Sequence, residues 1–465
     1  MEAAGLFGLG AASLAASAAD PAWGLLLLFA STLFEVRTDT AGGFTVFASE
    51  FVFAVVFAVW AARRGRSFLA DPANRPLAAA AGLLLAAVFV AGVAAGYPGE
   101  AVKGTVRWAE FAGVLLMAAD AGARGVLSRR VVVGTLALAG LVLSVHAVLD
   151  AKPWLVRIDD VAERVVLRLP GGGAVWRAAG LEHPNALAAM LFPCVAVCAA
   201  AWIALPASPL SVAALLAAAA ASTTVFLTFS RGGLLGWLAV MLALAAALLE
   251  APARRGKVVR LAALLALTAL VVRAVAAPQA VAEQTRVVGA TAAKMFGIAR
   301  GTAEGKRLHG DLGGEMSQTG MAVSSLDDRK LMAETAGRIV RAHPWLGAGP
   351  GGWRRESPAL WPVGMSEAGI LHHPHNLYLL ILCETGVIGF AAFVLLVVLL
   401  IRGARWDRPW PEAAFRYAWA GILAGFLAVA AFDVPTVHAR GMGFAFLLGL
   451  LLRPPPPGAP GAGRT

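Results

Sequence analysis

Apolar runs separated by short polar or basic stretches repeat along the whole chain, and most are close to the about 20 residues that an α-helix needs to cross a bilayer. Runs at 22–36, 47–62, 77–96, 104–122, 131–149, 185–204, 210–228, 232–250, 258–276, 376–401, 412–432 and 439–452 predict an all-α polytopic membrane protein of about twelve transmembrane helices. The first apolar stretch, Ala3 to Ala18, lacks a basic leader and is soon followed by another, so it reads as part of the first membrane segment and not as a cleaved signal. Two long polar interruptions remain, 150–184 and 277–375. The second is too long for a simple connector. Within it, Ser325 followed by Asp328 resembles a capping box, and Met332, Ala336, Ile339 and Val340 recur at helical spacing, which predicts an amphipathic helix over about 326–342. His343-Pro344 ends that helix, and the turn from Gly347 to Gly352 has a backbone able to approach a ligand closely. The chain thus divides into 1–276 with helices one to nine, 277–375 as a large, partly helical loop, 376–453 with helices ten to twelve, and a Pro/Gly tail over 454–465 expected to be disordered.

Charge orients this array. The chain is 59% hydrophobic and 14% charged, and its basic clusters (Arg63, Arg64, Arg66 and Arg75; Arg124, Arg129 and Arg130; Arg254, Arg255 and Lys257; Arg402, Arg405 and Arg408; Arg453) all fall on one side of the expected membrane. Loop arginines mark the cytoplasmic side, so both termini are expected there and the two long loops on the outer face. The net charge of +11 is then a topology signal: membrane lipids are the expected neighbours and nucleic acid is not a partner. Cys194, Cys198 and Cys383 all lie inside apolar runs, as small buried hydrophobes and not as a disulfide or metal set. Glu35, Glu50, Arg107, Glu110 and Asp120 lie within or near membrane spans, where charge implies pairing or function; Arg107 and Glu110, three apart, can neutralise each other.

The groups with chemical potential gather on the outer face. His372-His373-Pro374-His375 leads into the run at 376–401, placing a histidine at a membrane surface with Asn376, and on a helix starting there Gly386 and Gly389 share its stripe, open to close approach by a neighbouring helix. Imidazole suits general-base work near neutral pH, although an interfacial cap is the plainer reading from spacing alone. Thr228-Phe229-Ser230-Arg231-Gly232-Gly233 separates two apolar helices on the outer side, and Arg231 at the start of the second breaks the basic-inside pattern. A helix N-terminus with a guanidinium is a natural anion cradle, where a snorkelling arginine is the alternative. His183-Pro184-Asn185 sits at the outer end of another span, and Asp433, His438 and Arg440 cluster before the last helix. No nucleotide loop, zinc spacing or nucleophile elbow is present, and Asp159-Asp160 and Asp327-Asp328 are adjacent pairs that point about 100° apart on a helix. No cofactor and no metal are expected.

Three ordered elements between roughly Asn185 and Phe390 resemble the O-antigen ligase family. They are Ser230-Arg231-Gly232 between two membrane helices, Arg329 on a loop helix that ends in H-P-x-x-G-x-G at His343–Gly349, and H-N-x9-G-x-x-G at His375, Asn376, Gly386 and Gly389. The resemblance implies a GT-C-like, twelve-helix enzyme of the bacterial inner membrane with a periplasmic active side. It also implies en bloc transfer of a glycan from undecaprenyl diphosphate to an acceptor hydroxyl, normally on lipid A-core, by metal-independent inverting displacement. His375 is then the catalytic base and Arg231 and Arg329 hold the diphosphate, with Asn376, Ser230, Asn185, Arg341, His343, Gly386, Gly389 and Arg440 in support. On a helix Arg338 points away from Arg329 and Arg341 lies about 120° off. An O-antigen or exopolysaccharide polymerase, or a protein O-oligosaccharyltransferase, fits the same elements. A transporter of lipid-linked or anionic substrate is the non-enzymatic alternative, disfavoured because transport sites lie near the membrane midplane.

Overall fold

A computed structural model describes residues 2–32, 37–39, 45–150, 166–168, 174–176, 178, 184–275, 318–360, 373–404, 412–435 and 438–452. Glu35, His183, much of the first loop and the 454–465 tail lie outside the described residues. The described elements are helical apart from two short antiparallel hairpins, β1 (Arg37–Asp39) with β2 (Thr45–Phe47) and β3 (Val166–Arg168) with β4 (Ala174–Trp176), paired Thr38 to Val46 and Leu167 to Val175.

Seven described helices are long and apolar enough to cross a membrane: Arg75–Ala94, Arg129–Val148, Pro184–Ala204, Pro209–Leu227, Arg231–Glu250, Leu377–Gly403 and Glu412–Ala430. The chain is a polytopic helical membrane protein. The runs expected at 22–36, 47–62 and 439–452 are shorter helices, α2 (Pro21–Thr32), α3 (Ala48–Trp60) and α16 (His438–Leu450), and a separate α1 (Glu2–Ala19) precedes them. Here β1 and β2 lie in the interval between those first two runs, overlapping the second only at Phe47.

Around these stand α4 (Arg66–Ala70), α5 (Arg75–Ala94), α6 (Pro98–Arg124), α7 (Arg129–Asp150), α8 (Pro184–Ala204), α9 (Pro209–Leu227), α10 (Arg231–Glu250) and α11 (Arg254–Val275). Proline in the first turn starts α5, α6 and α9, where a missing N–H costs nothing, and Gly125 in the left-handed region ends α6. Helix α8 is the hub, with 89% of its apolar window buried. Its small residues let neighbours close in: a Cβ on Gly233 of α10 would lie 2.3 Å from that of Ala188, and Phe192 fills a slot between Gly236 of α10 and Gly425 of α15 (Glu412–Ala430). At the end of the bundle remote from Ser230, the charge expected to pair does so. Asp120 accepts from Trp60 Nε1 at 3.2 Å, Arg64 Nη2 at 3.1 Å and Arg124 Nε at 3.2 Å, and Arg124 also grips Asp20 through two hydrogen bonds. Burial alone would raise the Asp20 pKa, but the hydrogen bonds and charge of Arg124 outweigh it and hold the carboxyl below its ordinary range.

The long loop contributes α12 (Gln318–Ala342) and α13 (Gly352–Leu360), which pack on α14 (Leu377–Gly403). Helix α12 begins ahead of the expected residue 326, so Ser325 lies within it and does not cap it. The apolar stripe Met332, Ala336 and Ile339 is buried against Ala348, Trp353 and Cys383.

The glycines of α14 act differently from the expected smooth stripe. Gly386 has φ 61° and ψ −164° and breaks the helix, and Asn376, not His375, is its N-cap. The rings of Tyr378 and Phe393 are 6.4 Å apart, whereas fifteen residues of straight helix would separate their backbones by about 22 Å. The helix is therefore sharply bent. The backbone groups freed by the bend bond to the turn after α12: Val387 N–H to the Pro344 carbonyl at 2.9 Å, Ile388 N–H to the Trp345 carbonyl at 3.3 Å, and Ala348 N–H to the Cys383 carbonyl at 2.7 Å. Glu384 adds a carboxylate that accepts from Gly351 N at 2.8 Å. A Cβ on Gly386 would lie 2.3 Å from the Trp345 carbonyl oxygen, and one on Gly347 (φ 69°) 2.5 Å from Glu384 backbone. The glycine-rich turn thus closes on protein backbone and not on a ligand, and the partner of Gly386 is the loop and not another membrane helix. Gly386→Ala should lower stability by about 2–4 kcal/mol through positive-φ strain and a backbone clash. A melting temperature in detergent equal to wild type would overturn this interlock.

Candidate active site

Four segments meet at one end of the bundle. After α9, Thr228 Oγ1 accepts from Ser230 N at 3.1 Å, Phe229 takes φ 52°, and Ser230 caps α10 by accepting from Gly233 N at 3.2 Å. Arg231 is the first residue of α10. Helix α15 ends beside it, placing Phe432 and Asp433, and α12 brings in Arg329. Asn185, Phe229, Ser230, Arg231, Gly232, Arg329, Val429, Phe432 and Asp433 line a cavity of about 160 Å³.

The electrostatics of this cavity favour an anion. Two guanidiniums face it with a single carboxylate, and the charge of Arg329 bears on Arg231. The Arg329 guanidinium lies 5.6 Å over the Phe432 ring, and its Nη1 is buried without a hydrogen-bond partner. Burial pulls the Arg329 pKa down and the Asp433 carboxylate pushes it back up. An arginine stays ionised throughout, so the buried Nη1 stands as an unmet demand for negative oxygen.

Asp433 also faces the fourth segment. Its Oδ1 is 3.5 Å from His375 Nδ1, which has no closer hydrogen-bond partner. His375 itself sits at φ 45°, and its ring meets His373 edge to face at 4.7 Å. Asn376 fixes the entry to α14, accepting from Leu379 N at 3.0 Å and donating from Nδ2 to the Ala431 carbonyl at 3.2 Å. Among the described residues three non-glycines have positive φ, Phe229, Ala253 and His375, and two of them frame this site. Such positions cost about 1–3 kcal/mol each and collect where function requires them.

Of the sequence candidates, Arg231, Arg329, Ser230 and Asn185 line the cavity, and His375 and Asn376 stand beside it across Asp433. Arg341 and His343 do not join them. Arg341 is exposed, and His343 pairs with Glu356 at 3.0 Å on the exposed end of α12. Gly386 and Gly389 act at the bend of α14, and the Arg440 and His438 side chains lie outside the described residues. Phe432 and His373 were not marked as site residues by the sequence, and Asp433 only as part of a loop cluster. The position of Phe432-Asp433 just past an apolar run, like that of Ser230-Arg231 just before one, was the available signal.

The family described as O-antigen ligase matches residues 213–394. Over those residues the chain is similar to O-antigen ligases. The matched stretch holds Arg231, Arg329, His375, Asn376, Gly386 and Gly389, while the fold adds Asn185 and Asp433 from outside it. A comparison with curated proteins finds no match. The match and the membrane helices support an O-antigen ligase- or polymerase-like membrane glycosyltransferase.

Proposed function

We propose that the protein moves a preassembled glycan from undecaprenyl diphosphate to an acceptor hydroxyl, on a sugar of lipid A-core, at the periplasmic face of the bacterial inner membrane. The observation that carries this reading is the cavity where Arg231 and Arg329 converge beside the Asp433–His375 pair. In the proposed reaction the donor diphosphate occupies the cavity between the two arginines. Asp433 faces His375 Nδ1 and favours a proton there, leaving Nε2 as the base. Nε2 takes the acceptor hydroxyl proton as the oxygen attacks the anomeric carbon and the bond to the phosphate oxygen breaks. The electron pair leaves with the carrier diphosphate, whose added charge the arginines stabilise, so no metal is required. In-line displacement inverts the anomeric centre.

The test is reconstitution of the purified protein with a polyprenyl diphosphate-linked glycan and lipid A-core, chelator present. Glycan appearing on lipid A-core supports the reading. Longer chains still on the carrier would make the protein a polymerase, and no covalent product with any acceptor would overturn the glycosyltransferase assignment of the site. Asp433→Asn should lower kcat by up to about 10²-fold with little change in KM, a share of what general-base catalysis contributes. An unchanged kcat would remove Asp433 from the mechanism.

A further inference from the structure

The same site has a second chemical capacity. His373, His375 and Asp433 each offer one ligand atom, and these atoms lie within 4.8 Å of one another. Two imidazoles come from one short turn, joined by Pro374, and the carboxylate comes from the end of α15, far along the chain. All three side chains are half-buried. Two histidine nitrogens and one carboxylate oxygen suit Zn²⁺ and similar borderline cations, whereas Mg²⁺ and Ca²⁺ favour all-oxygen sets. Around tetrahedral zinc, ligand atoms about 2.0–2.2 Å from the metal stand roughly 3.3–3.6 Å apart, so closing the present spacing takes side-chain rotations of the order of 1 Å. Three protein ligands leave a fourth position open.

We propose that His373, His375 and Asp433 form a Zn²⁺ site through which the cation inhibits transfer, by occupying the imidazole and carboxylate that the reaction uses. The inhibition rests on the proposed role of His375, but the binding does not. Arg329 shares the cavity with Asp433 and its charge opposes a second cation, which sets the affinity below that of a closed four-ligand zinc site. The two arginines belong to the diphosphate cavity, so zinc and donor meet at the shared Asp433. Chelation then has a sign that separates this site from a catalytic metal: it raises transfer where a required metal's removal would abolish it.

The test is titration of the tag-free, full-length protein in detergent with Co²⁺ alone, followed by displacement with Zn²⁺. Visible absorption of four-coordinate Co²⁺ saturating at one ion per chain, lost on adding Zn²⁺, is expected. His373→Ala and Asp433→Asn should each weaken Co²⁺ binding at least tenfold while eluting and melting as the metal-free wild type does. If one variant fails to fold, the other decides. No absorption in wild type, or absorption unchanged in a folded variant, overturns the site. In the transfer assay the Zn²⁺ concentration for half-inhibition should rise at least tenfold in His373→Ala, measured against that variant's own basal rate, and equal sensitivity would overturn the inhibition. Absence of transfer in wild type would refute the glycosyltransferase reading, with metal binding still judged by Co²⁺ alone.

Discussion

His375→Ala is expected to reduce glycan transfer by about 10²- to 10⁴-fold, the contribution of a positioned general base. The loss should appear in kcat, because the imidazole acts on a proton that moves only in the transition state. Protein yield and melting temperature should stay near wild type. His375 sits at φ 45°, and its ring is not part of the packed core. The positive-φ strain is a backbone cost that both residues bear, and the α14 cap belongs to Asn376, which the substitution leaves in place. A structural histidine predicts the reverse pattern, with lowered stability and transfer in proportion to the protein that remains folded. His375→Gln separates the two further, since glutamine can keep hydrogen bonds but cannot take a proton at neutral pH. Transfer within a few-fold of wild type in either variant would remove His375 from the base role.

The sequence exposed this site unevenly, and the reasons are physical. Arg231 was legible because a cation on the side expected to be outer violates the charge rule for loops and sits at a helix start, both local features. His375 was legible because a titratable ring at the edge of an apolar run is costly to keep without use. The bend at Gly386 was not, because the seven apolar residues Leu377–Cys383 and the longer apolar run after Gly386 read as one helix with Glu384 and Thr385 as a brief polar interruption. Only the tertiary bonds to Pro344, Trp345 and Ala348 repay the broken backbone ladder, and no helical period encodes those. Asp433 was underrated for the same reason: it lies 58 positions along the chain from His375, and only α15 packing beside α10 brings it into the cavity. Near the N-terminus the runs at 22–36 and 47–62 correspond to helices of 12 and 13 residues, shorter than apolar composition alone suggested.

Arg329→Ala is expected to lower kcat by about 10²- to 10³-fold, the loss seen when one preorganised charge stabiliser is removed from a forming anion. The chemistry places the effect in kcat more than KM. The carrier diphosphate gains one negative charge as the glycosidic bond breaks, so a guanidinium facing it interacts more strongly with the transition state than with the bound donor. Arg329 is built for this: it is half-buried, its buried Nη1 has no hydrogen-bond partner, and the face of Phe432 and the carboxylate of Asp433 hold it against the cost of burial. Lysine should restore little, because an ammonium offers a point charge where a planar fork can span two phosphate oxygens. Arg231→Ala should cost a similar factor, and the double variant should lose less than the product of the two, since both side chains face one cavity and a shared ligand couples them. A rise in KM with kcat unchanged would reduce Arg329 to a tether for the donor, and strict multiplicativity with Arg231→Ala would place the two arginines on separate ligands, which the single-cavity mechanism cannot accommodate.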